Sequence, residues 1–260
     1  MPERDAAELL RDAKRVVAFT GAGMSAESGV PTFRDALTGL WARFDPKTLA
    51  TPAAFAADPA LVWGWYEWRR AGVERVHPNA GHRAVASIES HVPNTVVITQ
   101  NVDDLHERAG SGTPIHLHGS LFTPRCSSCS RPVSLSSLPP SPDAASRPEG
   151  ERDGRIPPPQ CAACGAPVRP GVVWFGEELS TDALSAATEA AFGCDLLFTV
   201  GTSGLVYPAA EIPYVAARSG ATVVQINPEP TALDAVADVN LRGTAARILP
   251  ELVARAWADR

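Results

Sequence analysis

The chain has 260 residues, 45% of them apolar, and a formal net charge of −6. That length suits one large domain or a domain with a sizeable insertion, and the apolar share is enough for a full core. An acidic balance with no long basic run argues against a general nucleic-acid binder, and no apolar run reaches the ~18 residues of a membrane span.

The opening MPERDAAELLRDAKR mixes charges and lacks the apolar centre of a signal peptide. It reads as an amphipathic helix with Leu9 and Leu10 inward, so a cytoplasmic protein without a membrane or nucleic-acid partner is expected. Residues 16–19 form an apolar run that predicts a buried strand. Thr20-Gly21-Ala22-Gly23 follows, and residues 24–28 predict the first turn of a helix. Such a strand, glycine turn and helix start can hold an anionic phosphate, because N–H groups and the helix dipole converge there. Gly21, Gly23 and Ala26 fit the loose spacing G-x-G-x-x-G/A. The acid that an ordinary dinucleotide fold places ~20 residues on, at the end of a second strand, is missing from GLWARFDP. A tight turn with no ligand is the competing reading. Ser28-Gly29-Val30-Pro31-Thr32-Phe33-Arg34-Asp35 then sets an aromatic ring beside a cation, which suits a flap over a nucleotide.

Four segments share one form. VVAFT stops at Gly21, VVIT at Gln100-Asn101, LLFTV at Gly201-Thr202-Ser203, and VVQI at Asn227-Pro228. Continuous apolar runs suit strands buried on both faces of a parallel sheet. With helical patterns between them, the expected class is α/β, a doubly wound parallel sheet whose polar strand ends converge on one crevice. An insert, residues 42–91, separates the first two strands. Within it Asp58-Pro59 starts a helix that should end near Gly72, and Asn79 should cap the next. Tyr66 and Arg69 are three apart and share a helix face. A phenol beside a guanidinium can receive a carboxylate; alternatively Arg69 stacks on Trp65 or Tyr66.

All six histidines fall between His77 and His118. Ile115-His116-Leu117-His118-Gly119 reads as a short strand with both imidazoles on one face. A metal pair there has no evident third ligand; one catalytic base and a structural histidine are the other readings. Asn101 and Asp103 can turn the chain and cap a helix, or grip a ribose or carboxamide. Cys126-x-x-Cys129 and Cys161-x-x-Cys164 offer four thiolates to one structural Zn²⁺ with no open position; redox dithiols compete with that reading. Between the pairs, residues 131–159 hold eight prolines and many serines and read as a low-complexity excursion. The extended stretch around Trp174 either adds a peptide as an extra strand or packs into the core. Cys194 reads as a small buried apolar residue.

Gly21-Ala22-Gly23-Met24-Ser25-Ala26-Glu27-Ser28-Gly29-Val30-Pro31-Thr32-Phe33-Arg34 resembles GAGxSxxSGIPxFR, the signature of the sirtuins, with Val for Ile as its one departure. The resemblance continues through Thr99-Gln100-Asn101-Val102-Asp103, Leu117-His118-Gly119-Ser120, both cysteine pairs, Val173-Trp174-Phe175-Gly176-Glu177, Gly201-Thr202-Ser203 and Ile226-Asn227. It implies a Rossmann-like domain of residues 1–41, 92–118 and 173–260, and a smaller domain. The smaller domain would comprise a helical insert, 42–91, and a zinc-binding insert, 119–172. It also implies NAD-dependent removal of acyl groups from protein lysines, giving nicotinamide and O-acyl-ADP-ribose, with acyl peptide and NAD meeting between the domains.

By the same resemblance His118 is the catalytic base, acting with Asn101. Asn101 and Asp103 hold the nicotinamide ribose and carboxamide, and Gln100 a ribose hydroxyl. Phe33 shields the reacting carbon and Arg34 orients the cofactor. Gly21, Ala22, Gly23, Gly201, Thr202, Ser203 and Asn227 hold phosphates and the adenosine ribose, with Ala245 near adenine. Glu27, Pro31, Thr32, Trp41, Val102, Pro228 and Glu229 complete the NAD site. Val172, Val173, Phe175 and Gly176 take the acyl-lysine peptide. Tyr66-Glu67-Trp68-Arg69 matches the Y-x-x-R of a subgroup that prefers malonyl, succinyl or glutaryl lysine, and Ala50 leaves room for a longer acyl chain. An NAD-consuming ADP-ribosyltransferase and a non-catalytic zinc and nucleotide-binding module are the alternatives. The long Pro/Ser insert departs from the family pattern.

Overall fold

A computed structural model describes residues 5–31, 45–137 and 154–258. In chain order the strands among them are β1 (Val16–Thr20), β2 (Thr95–Thr99), β3 (Ile115–His116), β4 (Gly119–Cys126), β5 (Val168–Val172), β6 (Leu196–Val200), β7 (Thr222–Ile226) and β8 (Val239–Leu241). Six of them form one sheet in the order β3-β2-β1-β6-β7-β8, every paired neighbour parallel. From β1 the chain winds to one side through β2 and β3, then crosses to the other side for β6, β7 and β8. The winding therefore reverses between β1 and β6, and a sheet of this kind takes its ligand at the carboxyl ends of that pair. β1 and β6 are buried along their whole length, which is why their sequences show no alternation.

Side chains alternate between two cores. Val16 and Ala18 face a cluster shared with the helices Ala6–Asp12, Ala80–His91 and Ala245–Ala256. Val17 and Phe19 face another, shared with the helices Thr181–Gly193 and Ile212–Arg218. The chain divides into two units, Met1–Thr32 with Val76–Leu117 and Leu179–Arg260, and Phe33–Arg75 with His118–Glu178. The helix Ala80–His91, expected in the insert, belongs to the first unit. Its Ala84, Val85 and Ile88 form an apolar stripe in the same cluster as β1, and Asn79 caps it through Gly81 and His82 N–H.

In the second unit one device starts three helices in succession: a short polar cap followed by proline. Asp45 precedes Pro46–Leu49, Thr51 precedes Pro52–Ala57, and Asp58, which accepts from Leu61 N–H at 3.0 Å, precedes Pro59–Arg75. That last helix does not stop at Gly72 as expected; it runs three residues further. Chain returning from the Pro/Ser excursion lies on it. Ile156 N–H donates to Ala60 O at 2.9 Å, and a Cβ at Gly64 would meet Gly154 O at 1.9 Å. β4 and β5 pair antiparallel with a register shift between Ser120 and Arg125. No helix of the described residues is long and apolar enough to cross a membrane.

Candidate functional site

The glycine turn after β1 and the turn after β6 touch. Gly21 N–H donates to Val200 O at 2.9 Å and Gly23 N–H to Gly201 O at 2.8 Å. A Cβ on Gly23 would stand 2.7 Å from Gly201 Cα, so glycine is required here for close backbone approach. The helix that follows, Gly23–Ala26, is a single turn, and its dipole is correspondingly small. Both glycine N–H groups are thus spent within the fold. The expected cradle of glycine donors is corrected in that respect: Ala22, Thr202 and Ser203 keep main-chain N–H groups without a partner among the described residues. Gln100 Nε2 donates to Thr202 Oγ1 at 2.9 Å, and Asn227 Nδ2 to Thr202 O at 2.9 Å. The ends of β1, β2, β6 and β7 are therefore bonded to one another. Glu27 accepts from Ala246 N–H at 3.2 Å beside the buried Ala245. Pro31, Pro228 and Glu229 are exposed and Val102 is half-buried. Thr32, Phe33, Arg34 and Trp41 lie outside the described residues.

Beneath this rim runs a buried polar network that the sequence did not reveal. Ser25 Oγ donates to Asp103 Oδ2 at 2.9 Å and accepts from Asn101 Nδ2 at 3.1 Å. Its proton being so committed, Ser25 also accepts from His82 Nε2 at 3.4 Å, while His82 Nδ1 accepts Asn79 N–H at 3.3 Å. Thr20 Oγ1 donates to Thr99 Oγ1 at 2.9 Å and so accepts from His106 Nε2 at 3.0 Å. Both rings are neutral and donate through Nε2. Burial pushes His82 down to about 4, with Arg83 adding to the effect, and His106 down to about 3, with His82 adding. Asp103 also caps the next helical turn by accepting Leu105 N–H at 3.1 Å, and burial raises its carboxyl above the ordinary value despite that bond and the one from Ser25.

The strand expected over residues 115–119 is broken. His116 ends β3, whereas His118 sits in the turn before β4 and belongs to the second unit. The two imidazoles therefore do not share a strand face. Among the described residues the cluster of metal-ligating groups is made of the four cysteines and no histidine. Half-buried His118 gives its carbonyl to Val173 N–H at 2.9 Å, anchoring it to the end of β5.

Beyond β5 the chain turns through Trp174 to Glu177. Arg169 donates through both Nη atoms to Glu177, at 2.5 and 2.9 Å, and its guanidinium carbon lies 3.4 Å from the Trp174 ring centroid. Burial opposes the Glu177 carboxylate, but Arg169 and Trp174 N–H outweigh it and hold the carboxyl below its ordinary value. Phe175 N–H donates to Ala50 O at 3.0 Å, while the Phe175 ring is exposed and Trp174 buried. Val172 is buried at the end of β5, followed by half-buried Val173, and Gly176 takes φ +88° in the turn. Trp174 Nε1 donates to Tyr66 Oη at 3.1 Å. Burial raises the Tyr66 phenol to about 12, the nearby Arg69 charge opposing it. Arg69 lies over both Trp65 and Tyr66, 5.1 and 5.7 Å from their centroids, so the stacked reading describes its resting place.

The four cysteine Sγ atoms lie within 4.8 Å of one another, with Cys126–Cys164 at 3.4 Å and Cys129–Cys161 at 3.8 Å. Tetrahedral Zn–S bonds of ~2.3 Å place sulfurs ~3.8 Å apart, so the set fits one Zn²⁺. N–H groups of Cys129 and Ser128 point at Cys126 Sγ and favour its thiolate. Cys194 is buried and its thiol donates to Ala191 O.

A family profile described as the Sir2 family matches residues 21–208. The NAD-dependent protein deacylase of Methylococcus capsulatus is 60% identical over 94% of this chain and 93% of its own length. NAD-dependent protein deacylase 1 of Pseudomonas aeruginosa is 57% identical over 98% and 99%. A Sir2 homologue solved in complex with NAD superposes with a TM-score of 0.86 at 45% identity, covering 96% of this chain and 92% of the other.

Proposed function

The chain belongs to the Sir2 family and is an NAD-dependent protein deacylase, and from that premise we propose which residues do the work and which acyl groups they favour. The observation that carries the assignment of roles is the set of polar strand ends bonded together where the sheet reverses its winding. Ala22, Thr202 and Ser203 offer main-chain N–H groups to the diphosphate. Asn101 and Asp103, held by Ser25, take the nicotinamide ribose and carboxamide, and Gln100 takes a ribose hydroxyl. Asn227, Pro228 and Glu229 lie along the adenosine ribose, Ala245 near adenine. By the family resemblance Phe33 shields the reacting carbon and Arg34 orients the cofactor. When bound, NAD supplies an electrophilic ribose carbon and nicotinamide as leaving group, with O-acyl-ADP-ribose as co-product. His118 accepts the proton of a ribose hydroxyl, as an imidazole can near neutral pH. The four cysteines hold a structural Zn²⁺ that leaves no position for a substrate. A cytoplasmic setting agrees with a cysteine set that serves one metal cluster, with Cys194 left over, rather than disulfides.

For the acyl group, Tyr66 and Arg69 form the receptor of a terminal carboxylate, with Ala50, Val172 and Val173 lining the chain that leads to it. An indole N–H only donates, so Tyr66 Oη accepts from Trp174 and its own O–H remains a donor. Its raised pKa keeps that proton in place. Malonyl and succinyl lysine are then favoured over acetyl. Mass spectrometry of nicotinamide and acyl-ADP-ribose formed from acetyl, malonyl and succinyl peptides tests both levels. His118→Tyr should abolish turnover in a folded protein. Arg69→Met should cost desuccinylation far more than deacetylation; equal losses would remove the selectivity. Label passing from NAD to protein with no acyl-ADP-ribose formed would replace deacylation by ADP-ribosyl transfer.

A further inference from the structure

His116 differs from the other buried histidines in what its nitrogens meet. Nδ1 stands 3.1 Å from Asn101 O and Nε2 stands 2.7 Å from Glu107 Oε1. A carbonyl accepts and never donates, and an ionised carboxylate likewise. A neutral imidazole has one N–H and can satisfy one of the two; an imidazolium satisfies both. His82 instead receives an N–H on Nδ1, and His106 Nδ1 has no partner. We propose that His116 is held as an imidazolium whose two bonds fix the main chain of Asn101, making it a positioning residue for NAD.

Asn101 has three such anchors. Its N–H donates to Thr99 Oγ1 at 3.0 Å, its side-chain nitrogen donates to Ser25 Oγ at 3.1 Å, and its carbonyl accepts from His116. The first two rest on hydroxyls, which do not titrate in the working range. The third does. Burial opposes the His116 charge, but the Glu107 bond and charge, the Asn101 carbonyl and the Asp103 charge outweigh it, so the ring titrates above the ordinary histidine value. Glu107 is held below its own ordinary value, burial opposing and the His116 bond prevailing, so the carboxylate is the form that faces the ring. His106 beside it is neutral. The helix Thr181–Gly193, which packs against β3, carries Asp182 in its first turn and Glu189 before its last. As pH rises through the raised His116 value the ring keeps one N–H, which stays on the closer and charged acceptor, Glu107 Oε1 at 2.7 Å, and Asn101 O at 3.1 Å is released. Binding of NAD then weakens on the alkaline side, independently of the proton taken by His118.

This inference rests on Asn101 contacting NAD, so the test separates the two claims. Imidazole resonances of ¹⁵N-histidine-labelled protein are followed through a pH titration, with His116→Gln assigning the peak. The His116 ring should titrate above the ordinary histidine value, with both nitrogens protonated on the acid side, and Glu107→Gln should lower that titration. KM for NAD should rise ~5-fold across the His116 titration, the worth of one hydrogen bond, while KM for the peptide stays level. In Glu107→Gln that rise should begin at lower pH, and in His116→Gln KM should be raised throughout and flat. A His116 ring that titrates at or below the ordinary histidine value of ~6.5 overturns the proposal. So does a charged His116 whose removal leaves KM for NAD unchanged while Asn101→Ala raises it. If Asn101→Ala also leaves it unchanged, the Asn101 role fails and the inference falls with it.

Discussion

Two buried neutral histidines make the fold acid-sensitive in a calculable window. His82 and His106 titrate in the folded chain at about 4 and about 3 because burial disfavours their charge, against ~6.5 in the unfolded chain. Between those values the unfolded chain binds more protons. Their contribution is therefore complete above ~6.5 and lost as pH falls through the window. From about pH 7.5 to about 5.5 each removes on the order of 1 kcal/mol, and the pair about 2–3 kcal/mol, a large part of a typical domain's stability. His116 has a raised value and runs the other way, its stabilisation being gained as pH falls, so it offsets part of this loss. Urea unfolding at a series of pH values measures the slope. Acid release of zinc adds a slope of its own, so the informative comparison is with His106→Gln, which keeps the cysteines and should lose about half of the acid-dependent term. Absolute stability will fall in that variant because Thr20 loses a donor; the slope is the readout. Parallel wild-type and variant slopes would refute the assignment of a buried neutral ring.

Three further outcomes are expected. Gly64→Ala should lower stability by ~1–3 kcal/mol, since its methyl would meet the Gly154 carbonyl at 1.9 Å and push residues 154–156 off the helix; an unchanged melting temperature would count against that contact. Purified protein should carry about one Zn²⁺ per chain, and its removal should melt the β4–β5 ribbon; elemental analysis finding none removes the claim. Trp174→Phe keeps the ring but deletes the N–H on Tyr66, so kcat/KM for succinyl peptide should fall ~5–10-fold with acetyl peptide little changed; equal losses would show a packing role alone.

The four central strands were legible because each is a continuous apolar run ended by a small or polar residue. β3 and β8, two and three residues long, carry too little pattern to announce themselves. β3 was read as a longer strand over 115–119, which merged His116 and His118, and β8 was not read at all. The helix Ala80–His91 was legible as a helix, with Asn79 as its cap, but its place was not. Which core an apolar stripe joins is decided by packing against Ala245–Ala256, far along the chain. The network under the site was invisible for the same reason. Ser25, Asn101 and Asp103, and likewise Thr20, Thr99 and His106, are brought together by strand pairing across gaps of more than seventy residues. The available hint was local: Thr20 and Thr99 each end an apolar run with a hydroxyl, in register with each other across β1 and β2.

The glycine turn shows how a motif can be right about place and wrong about atoms. Spacing alone suggests that Gly21 and Gly23 present N–H groups to a phosphate. Both are instead bonded to main-chain carbonyls at the end of β6, and the missing Cβ atoms let the two turns close to contact. What glycine supplies is therefore the geometry of the reversal point, while the N–H groups left without a partner among the described residues are those of Ala22, Thr202 and Ser203. Any side chain at Gly23 must move Gly201, and Gly201 leads directly into Thr202, where Gln100 and Asn227 are both bonded. A single methyl there would be felt at all four strand ends without touching a ligand, so Gly23→Ala should disturb the site even though the Gly23 N–H binds nothing outside the fold.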